Sequence, residues 1–251
     1  MKYLTGKVGK AIGTWHMITN GEKIAVGLSG GKDSSTLLYI LTHFQRIAPI
    51  HFHLIAIHID FGWHTDVTPL REFCRQLNVP FVIEPTQIGP IVFEHRQEKK
   101  PCSLCANMRR GALCTTAQRL GIKKIALGHH LDDAIETLLL NMFYNGSIKC
   151  FLPVTYLDRT DTTVIRPLVY LTEATIAEAA STLNLPVIPS PCPNCGHSKR
   201  QEIKNLIQNL ETKIPRIRHN LLAALHNVDP NQLWLQPTTA TDRDHPTDSP
   251  Y

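Results

Sequence analysis

The chain has 251 residues, 43% of them hydrophobic, and 26 Lys+Arg against 21 Asp+Glu for a net charge of +5. That length supports one sizeable core with at most a small appendage, and no apolar run approaches the roughly 18–20 residues needed to span a bilayer. Met1 to Asn20 lacks an apolar stretch with a small-residue cleavage site, so a cytoplasmic protein without membrane association is expected; the mild basic balance suits a polyanion such as RNA without requiring one.

Strand and helix patterns alternate along the chain. Lys23 to Ser29 reads as a short buried strand, followed by a Gly-Gly turn and a helix from Ser34 to about His43. Phe52 to Ile59 is a second strand, Thr68 to Leu77 a helix that stops before Asn78 and Pro80, and Phe81 to Glu84 a third strand. A helix from about Ser103 to Leu120 ends at Gly121. Lys124 to Gly128 is a fourth strand, Asp132 to Tyr144 a helix closed by Asn145-Gly146, Thr163 to Arg166 a fifth strand and Thr172 to Leu183 another helix. Strands separated by helices pair in parallel through right-handed crossovers, which predicts a doubly wound α/β sheet. Ligands of such sheets bind beyond the carboxyl ends of the strands, where Ser29, Asp60 and Gly128 are expected. The α/β domain spans residues 1–185. Residues 186–235 form a Cys- and Pro-rich loop and a basic helical stretch packed on it, and residues 236–251 a tail too poor in apolar residues to fold.

The segment Leu28-Ser29-Gly30-Gly31-Lys32-Asp33-Ser34 sits where a strand becomes a helix. Glycines let the backbone approach a phosphate, the helix start adds its positive dipole end, Lys32 adds a full charge, and Ser29 and Ser34 add hydroxyls. The spacing differs from a Walker A loop and resembles the PP-loop of ATP pyrophosphatases. His58-Ile59-Asp60-Phe61-Gly62 is placed to meet adenine and ribose. Gly128-His129-His130-Leu131-Asp132-Asp133 carries paired carboxylates, which one helix cap would not need. With His129 they are candidates to hold magnesium on a pyrophosphate.

Seven cysteines, an odd number in a reducing compartment, argue for metal or redox chemistry over disulfides. Four fall in two C-x-x-C pairs, Cys102/Cys105 and Cys192/Cys195. The first lies at a helix start with Arg109 and Arg110 one turn on, a setting that lowers thiol pKa. Two such pairs suit a Cys₄ zinc site, although their separation far exceeds the roughly 15–20 residues common in that pattern. A cluster held by three cysteines with one iron open is the alternative, and the residues alone leave the two level. Cys74, Cys114 and Cys150 read as packing residues.

Taken together, the chain resembles the tRNA 2-thiocytidine synthetase (TtcA-type) family of PP-loop ATPases, from about Val8 to Val228. The resemblance rests on Val8-Gly-Lys-Ala-Ile12, Leu28 to Ser34, Cys102-Ser-Leu-Cys105, Arg109-Arg110-Gly111 and Gly128-His-His130. It continues through Asp132-Asp133, Leu139 to Tyr144, Ile165-Arg-Pro-Leu168 and Pro191-Cys192. It implies ATP and Mg²⁺, and a 4Fe–4S cluster on Cys102, Cys105 and a third cysteine, Cys192 or alternatively Cys195. It further implies a tRNA substrate, a cysteine desulfurase-type sulfur donor and a homodimer as one possible assembly. The expected reaction adenylates an anticodon-loop cytidine, at position 32, and replaces its oxygen by sulfur; a uridine target and a zinc-stabilised enzyme using a persulfide donor are the alternatives. Lys32 and the loop amides would stabilise phosphate charge, Asp33, Asp132 and Asp133 would position magnesium, and Arg109 would neutralise the adenylate. Lys199, Arg200, Lys204, Lys213, Arg216 and Arg218 are expected to grip RNA, and Arg166 to lie near the nucleotide or cluster. The chain departs from the family pattern at Lys149-Cys150-Phe151-Leu152-Pro153, which bears on the identity of the base.

Overall fold

The computed structural model describes residues 1–63, 65–96, 101–189, 192 and 199–234. Six strands form one sheet: β1 (Glu22–Gly27), β2 (Phe52–Asp60), β3 (Phe81–Pro85), β4 (Lys124–Ala126), β5 (Val154–Leu157) and β6 (Thr162–Ile165). Their order is β3-β2-β1-β4-β6-β5, with every pair parallel except β5 with β6. The doubly wound sheet is therefore as expected. The antiparallel edge strand β5 was not predicted; it is four residues long, and its Val-Thr-Tyr-Leu pattern becomes a strand only by pairing with β6.

Side chains alternate across β1 and β2 as the two-residue period requires. Ile24, Val26, Leu54 and Ala56 face one core, and Ala25, Ile57 and Ile59 face the other. The first core is covered by α1 (Lys2–Thr14), α2 (Lys32–Ile47), α3 (Thr68–Gln76) and α7 (Glu173–Thr182). The second is covered by a short turn of helix α4 (Ile88–Pro90), the π-helical turn Ile91–His95 and α5 (Pro101–Arg119). Helix α1 was also missed, although its buried Leu4, Val8, Ala11 and Ile12 recur at helical spacing.

Helix α6 (Leu131–Asn145) carries the remaining two, α8 (Lys199–Lys213) and α9 (Ile217–His226), on a separate apolar patch of Leu131, Ile135, Leu139, Ile203 and Ile207. The basic stretch predicted to run from Lys199 to Leu225 is thus two helices. Pro215 explains the break, because it has no N–H to donate and its ring clashes with the preceding turn.

Candidate active site

Helix α2 begins at Lys32, two residues before the predicted start, with Gly31 as an extended N-cap that makes no side-chain cap bond. The first-turn amides therefore face outward with the dipole behind them. The hydroxyls are less free than expected. Ser34 Oγ donates to Gly31 O at 2.9 Å and accepts from the Ser29 N–H at 3.1 Å. It also lies 3.1 Å from Ser29 Oγ, so Ser34 braces the loop. Gly30 needs its glycine for two reasons: φ is +87°, and a Cβ would meet Ile188 Cγ1 at 2.3 Å. The chain leading to Cys192 lies across the loop at that point, held by the Ile188 N–H on Gly30 O and by Ser35 Oγ on Pro186 O.

A cavity of about 220 Å³ opens beside this loop. It lies at the carboxyl ends of β1 and β4, where the strand order reverses, the crevice that open α/β sheets use for ligands. Ser29, Asp33, Gly128, His129, Asp133 and Arg109 all reach it, so three separated motifs share one site. Of its apolar wall, Ile59 and Phe61 belong to the segment expected to meet adenine and ribose, whereas Leu113 and Leu127 had no sequence signature. Gly128 allows the closest approach: a Cβ there would come within 3.1–3.2 Å of the Asp33 and Ser34 backbone. Lys32, Gly30, Gly31, Asp60 and Asp132 are not part of the lining. Asp60 ties off its strand instead, taking the Gly62 N–H on Oδ1 at 2.9 Å and the Thr86 N–H and hydroxyl on its carbonyl oxygen.

The paired carboxylates divide. Asp133 closes a capping box with His130 at the start of α6 and pairs with Arg200 at 3.0 Å. Asp132 is buried and turned away. It accepts the Glu173 N–H at 2.6 Å, at the start of α7, and pairs with Arg218. Both residues cap helices, but different ones, so the expectation that Asp132 positions magnesium does not fit its placement. His129 is also a poor magnesium ligand. Its burial, then Arg166, lowers its pKa to about 3, and Arg109 and Arg200 add to the repulsion of positive charge.

Glu173, which the sequence did not flag, holds Lys32 at 3.2 Å and Lys204 at 2.6 Å. Burial opposes its charge, yet hydrogen bonds from Lys204 and Lys32 prevail and hold its pKa down to about 2. Burial likewise opposes the Lys32 charge, which Asp33 and Glu173 more than restore. Arg200, Lys204 and Arg218, expected to grip RNA, pair with Asp133 and Glu136, with Glu173, and with Asp132 and Glu211. They dock the C-terminal helices. Lys199 pairs with Glu202.

Cys102 is exposed and Cys105 half-buried in the first turns of α5. Cys105 and Arg109 stand four apart on one helix face; Arg109 and Leu113 line the cavity, and Cys102, Cys105 and Cys192 are not among its lining residues. Contrary to the lowered pKa expected, burial pushes the Cys105 thiol up; Arg109 opposes this, and the neighbouring Cys192 and Cys102 sulfurs add to it. Among the described residues, no three His, Cys, Asp or Glu side chains stand close enough to hold a metal ion. Cys195 lies outside the described residues. Cys74 and Cys114 are buried, and Cys150 is half-buried with its thiol on Ala134 O. Arg166 is tied to Leu152 O and Thr155 Oγ1 with its guanidinium over Phe151.

The PP-loop domain family model matches residues 5–211. A tRNA-cytidine(32) 2-sulfurtransferase of Pelobacter propionicus is 45% identical over 232 residues, 90% of this chain and 86% of that protein. The chain belongs to this PP-loop family. A second tRNA-cytidine(32) 2-sulfurtransferase, from Citrifermentans bemidjiense, is 42% identical over 92% of each chain. Among solved structures, the U34-tRNA thiolase NcsA of Methanococcus maripaludis with its [4Fe-4S] cluster aligns with a TM-score of 0.74 at 25% identity, covering 91% of this chain and 79% of that one. No helix among the described residues is long and apolar enough to cross a membrane.

Proposed function

We propose that this chain is an ATP-dependent tRNA-cytidine 2-sulfurtransferase acting on cytidine 32, in the cytoplasm. The observation that carries the reading is the shared cavity: the phosphate loop forms one wall and the helix bearing Cys102 and Cys105 forms another. Similarity to sulfurtransferases of that name supports the substrate.

The nucleotide's triphosphate fits against the first-turn amides of α2, with adenine on the Ile59, Phe61 and Leu127 side. Asp33 and Asp133 face the cavity and are the carboxylates available for Mg²⁺. Lys32 is held charged beside the loop and exchanges Glu173 for phosphate oxygens when ATP arrives. The cytosine O2 attacks the α-phosphorus and pyrophosphate leaves; sulfide sulfur then adds at C2, and AMP departs with the former O2. Arg109 balances the adenylate charge. Cys102, Cys105 and Cys192 are the residues to hold a 4Fe–4S cluster. Such a cluster supplies an iron site that can carry the incoming sulfur. A cysteine desulfurase-type protein is the proposed sulfur source and a homodimer the proposed assembly. An unpaired anticodon-loop base suits this entry because its edge is free to be read.

The test is nucleoside mass spectrometry of tRNA treated with the anaerobically purified protein, ATP, Mg²⁺ and sulfide. Wild type is expected to form 2-thiocytidine. Cys105→Ala is expected to lose both the product and the visible absorbance of an iron–sulfur cluster. A colourless wild-type protein with stoichiometric zinc, or product formation by Cys105→Ala, rejects the reading.

A further inference from the structure

Lys32 stands between two carboxylates. Its Nζ lies 3.1 Å from Asp33, which lines the cavity, and 3.2 Å from Glu173, which does not. Lys32 is itself outside the lining, so exchanging Glu173 for phosphate oxygens moves its ammonium off that carboxylate.

The second oxygen of Glu173 is already taken. Lys32 has Oε1, and Lys204 of α8 has Oε2 at 2.6 Å. Lys204 is delivered by a docked helix, because Ile203 and Ile207 on either side of it are buried against α6. Glu173 is fixed from its own backbone, its N–H on Asp132 Oδ2 at 2.6 Å at the first position of α7. The three side chains are only 27–30% exposed. Removing one partner of a charge so placed leaves the other poorly solvated and uncompensated. With Lys204 in place, Glu173 keeps a cation after Lys32 departs. Without Lys204, the departure of Lys32 strands the carboxylate, and nucleotide binding has to overcome that penalty.

We infer that Lys204 is a positioning residue for the nucleotide: touching no phosphate, it retains the charge of Glu173 and so releases Lys32 to the phosphates. Arg200 and Arg218 pair with other carboxylates, Asp133 and Glu136 for the first and Asp132 and Glu211 for the second. The inference rests on the ATP-using reading above and is independent of which base is thiolated.

The test is a double-mutant cycle on nucleotide affinity. Calorimetry follows α,β-methylene-ATP with Mg²⁺ titrated into the full chain. Lys204→Met keeps the aliphatic stem and its packing. It is expected to weaken binding about fivefold, the scale of a partly exposed ion pair, and Lys204→Arg to keep wild-type affinity. Glu173→Gln, which no longer holds Lys32 by charge, is expected to bind at least as tightly as wild type. Adding Lys204→Met to Glu173→Gln should then change nothing. Wild-type affinity in Lys204→Met overturns the inference. So does an equal loss from Lys204→Met in the Glu173→Gln background, which would make Lys204 a direct phosphate contact or a mere support for α8. Weaker binding by Glu173→Gln also overturns it, since the carboxylate would then assist Lys32. Failure of the broader reading is distinct: 2-thiocytidine is absent from the wild-type reaction while the affinities keep this order.

Discussion

At the level of single residues, acidic groups do most of the positioning. Asp132 joins the start of α7 to Arg218 of α9 while buried, and removing one partner of such a pair leaves a charge uncompensated. Asp132→Ala should cost about 3 kcal/mol in urea unfolding. Asp133→Ala, which loses a capping box, should cost about 1 kcal/mol yet abolish pyrophosphate release. Equal stability losses would remove the distinction between the two. Titration separates two further residues. Glu173 has a folded pKa depressed to about 2 from 4.5, so its contribution is full above about pH 4.5 and is lost as pH falls towards 2. His129 has a folded pKa of about 3 against 6.5, so between those values the unfolded chain holds the extra proton and stability falls as pH drops. Thermal unfolding across pH should show a smaller loss from pH 7 to 5 in His129→Asn, and an unaltered slope would count against the buried neutral ring.

Among the elements, α8 and α9 depend on α6. Ile207 is fully buried in their shared patch, and Ile207→Ala should cost about 2–4 kcal/mol. Hydrogen exchange should show α8 and α9 opening first, with β1 and β2 still protected. Because Lys204 of α8 shares Glu173 with Lys32, loosening α8 should also alter the electrostatics of the phosphate loop. The expected readout is a changed ATP affinity in Ile207→Ala. Unchanged affinity together with an opened α8 would show that Lys32 does not depend on the shared carboxylate. The sequence showed one basic helical stretch here, where the structure has two helices. Their docking was not readable, since Arg200, Lys204 and Arg218 read equally well as solvent-facing cations.

Across the whole molecule, the strand order 3-2-1-4-6-5 brings residues about a hundred positions apart to one crevice. Nucleotide binding should therefore protect two distant segments against hydrogen exchange, the first turn of α2 and the Arg109–Leu113 turn of α5. Protection confined to α2 would mean that α5 does not wall the nucleotide site.

The sequence by itself determined the parallel α/β sheet, the phosphate loop and the family, because strand–helix alternation and Gly-Gly-Lys-Asp-Ser are local patterns whose meaning survives without their surroundings. Only the tertiary structure decided which carboxylate faces the cavity, that Gly30 makes room for Ile188, and that Glu173 holds the loop lysine. Each of these depends on what lies opposite in space. Asp132 and Asp133 are neighbours of the same chemical type, yet successive helix positions point about a quarter-turn apart, so one meets α7 and α9 while the other meets the cavity.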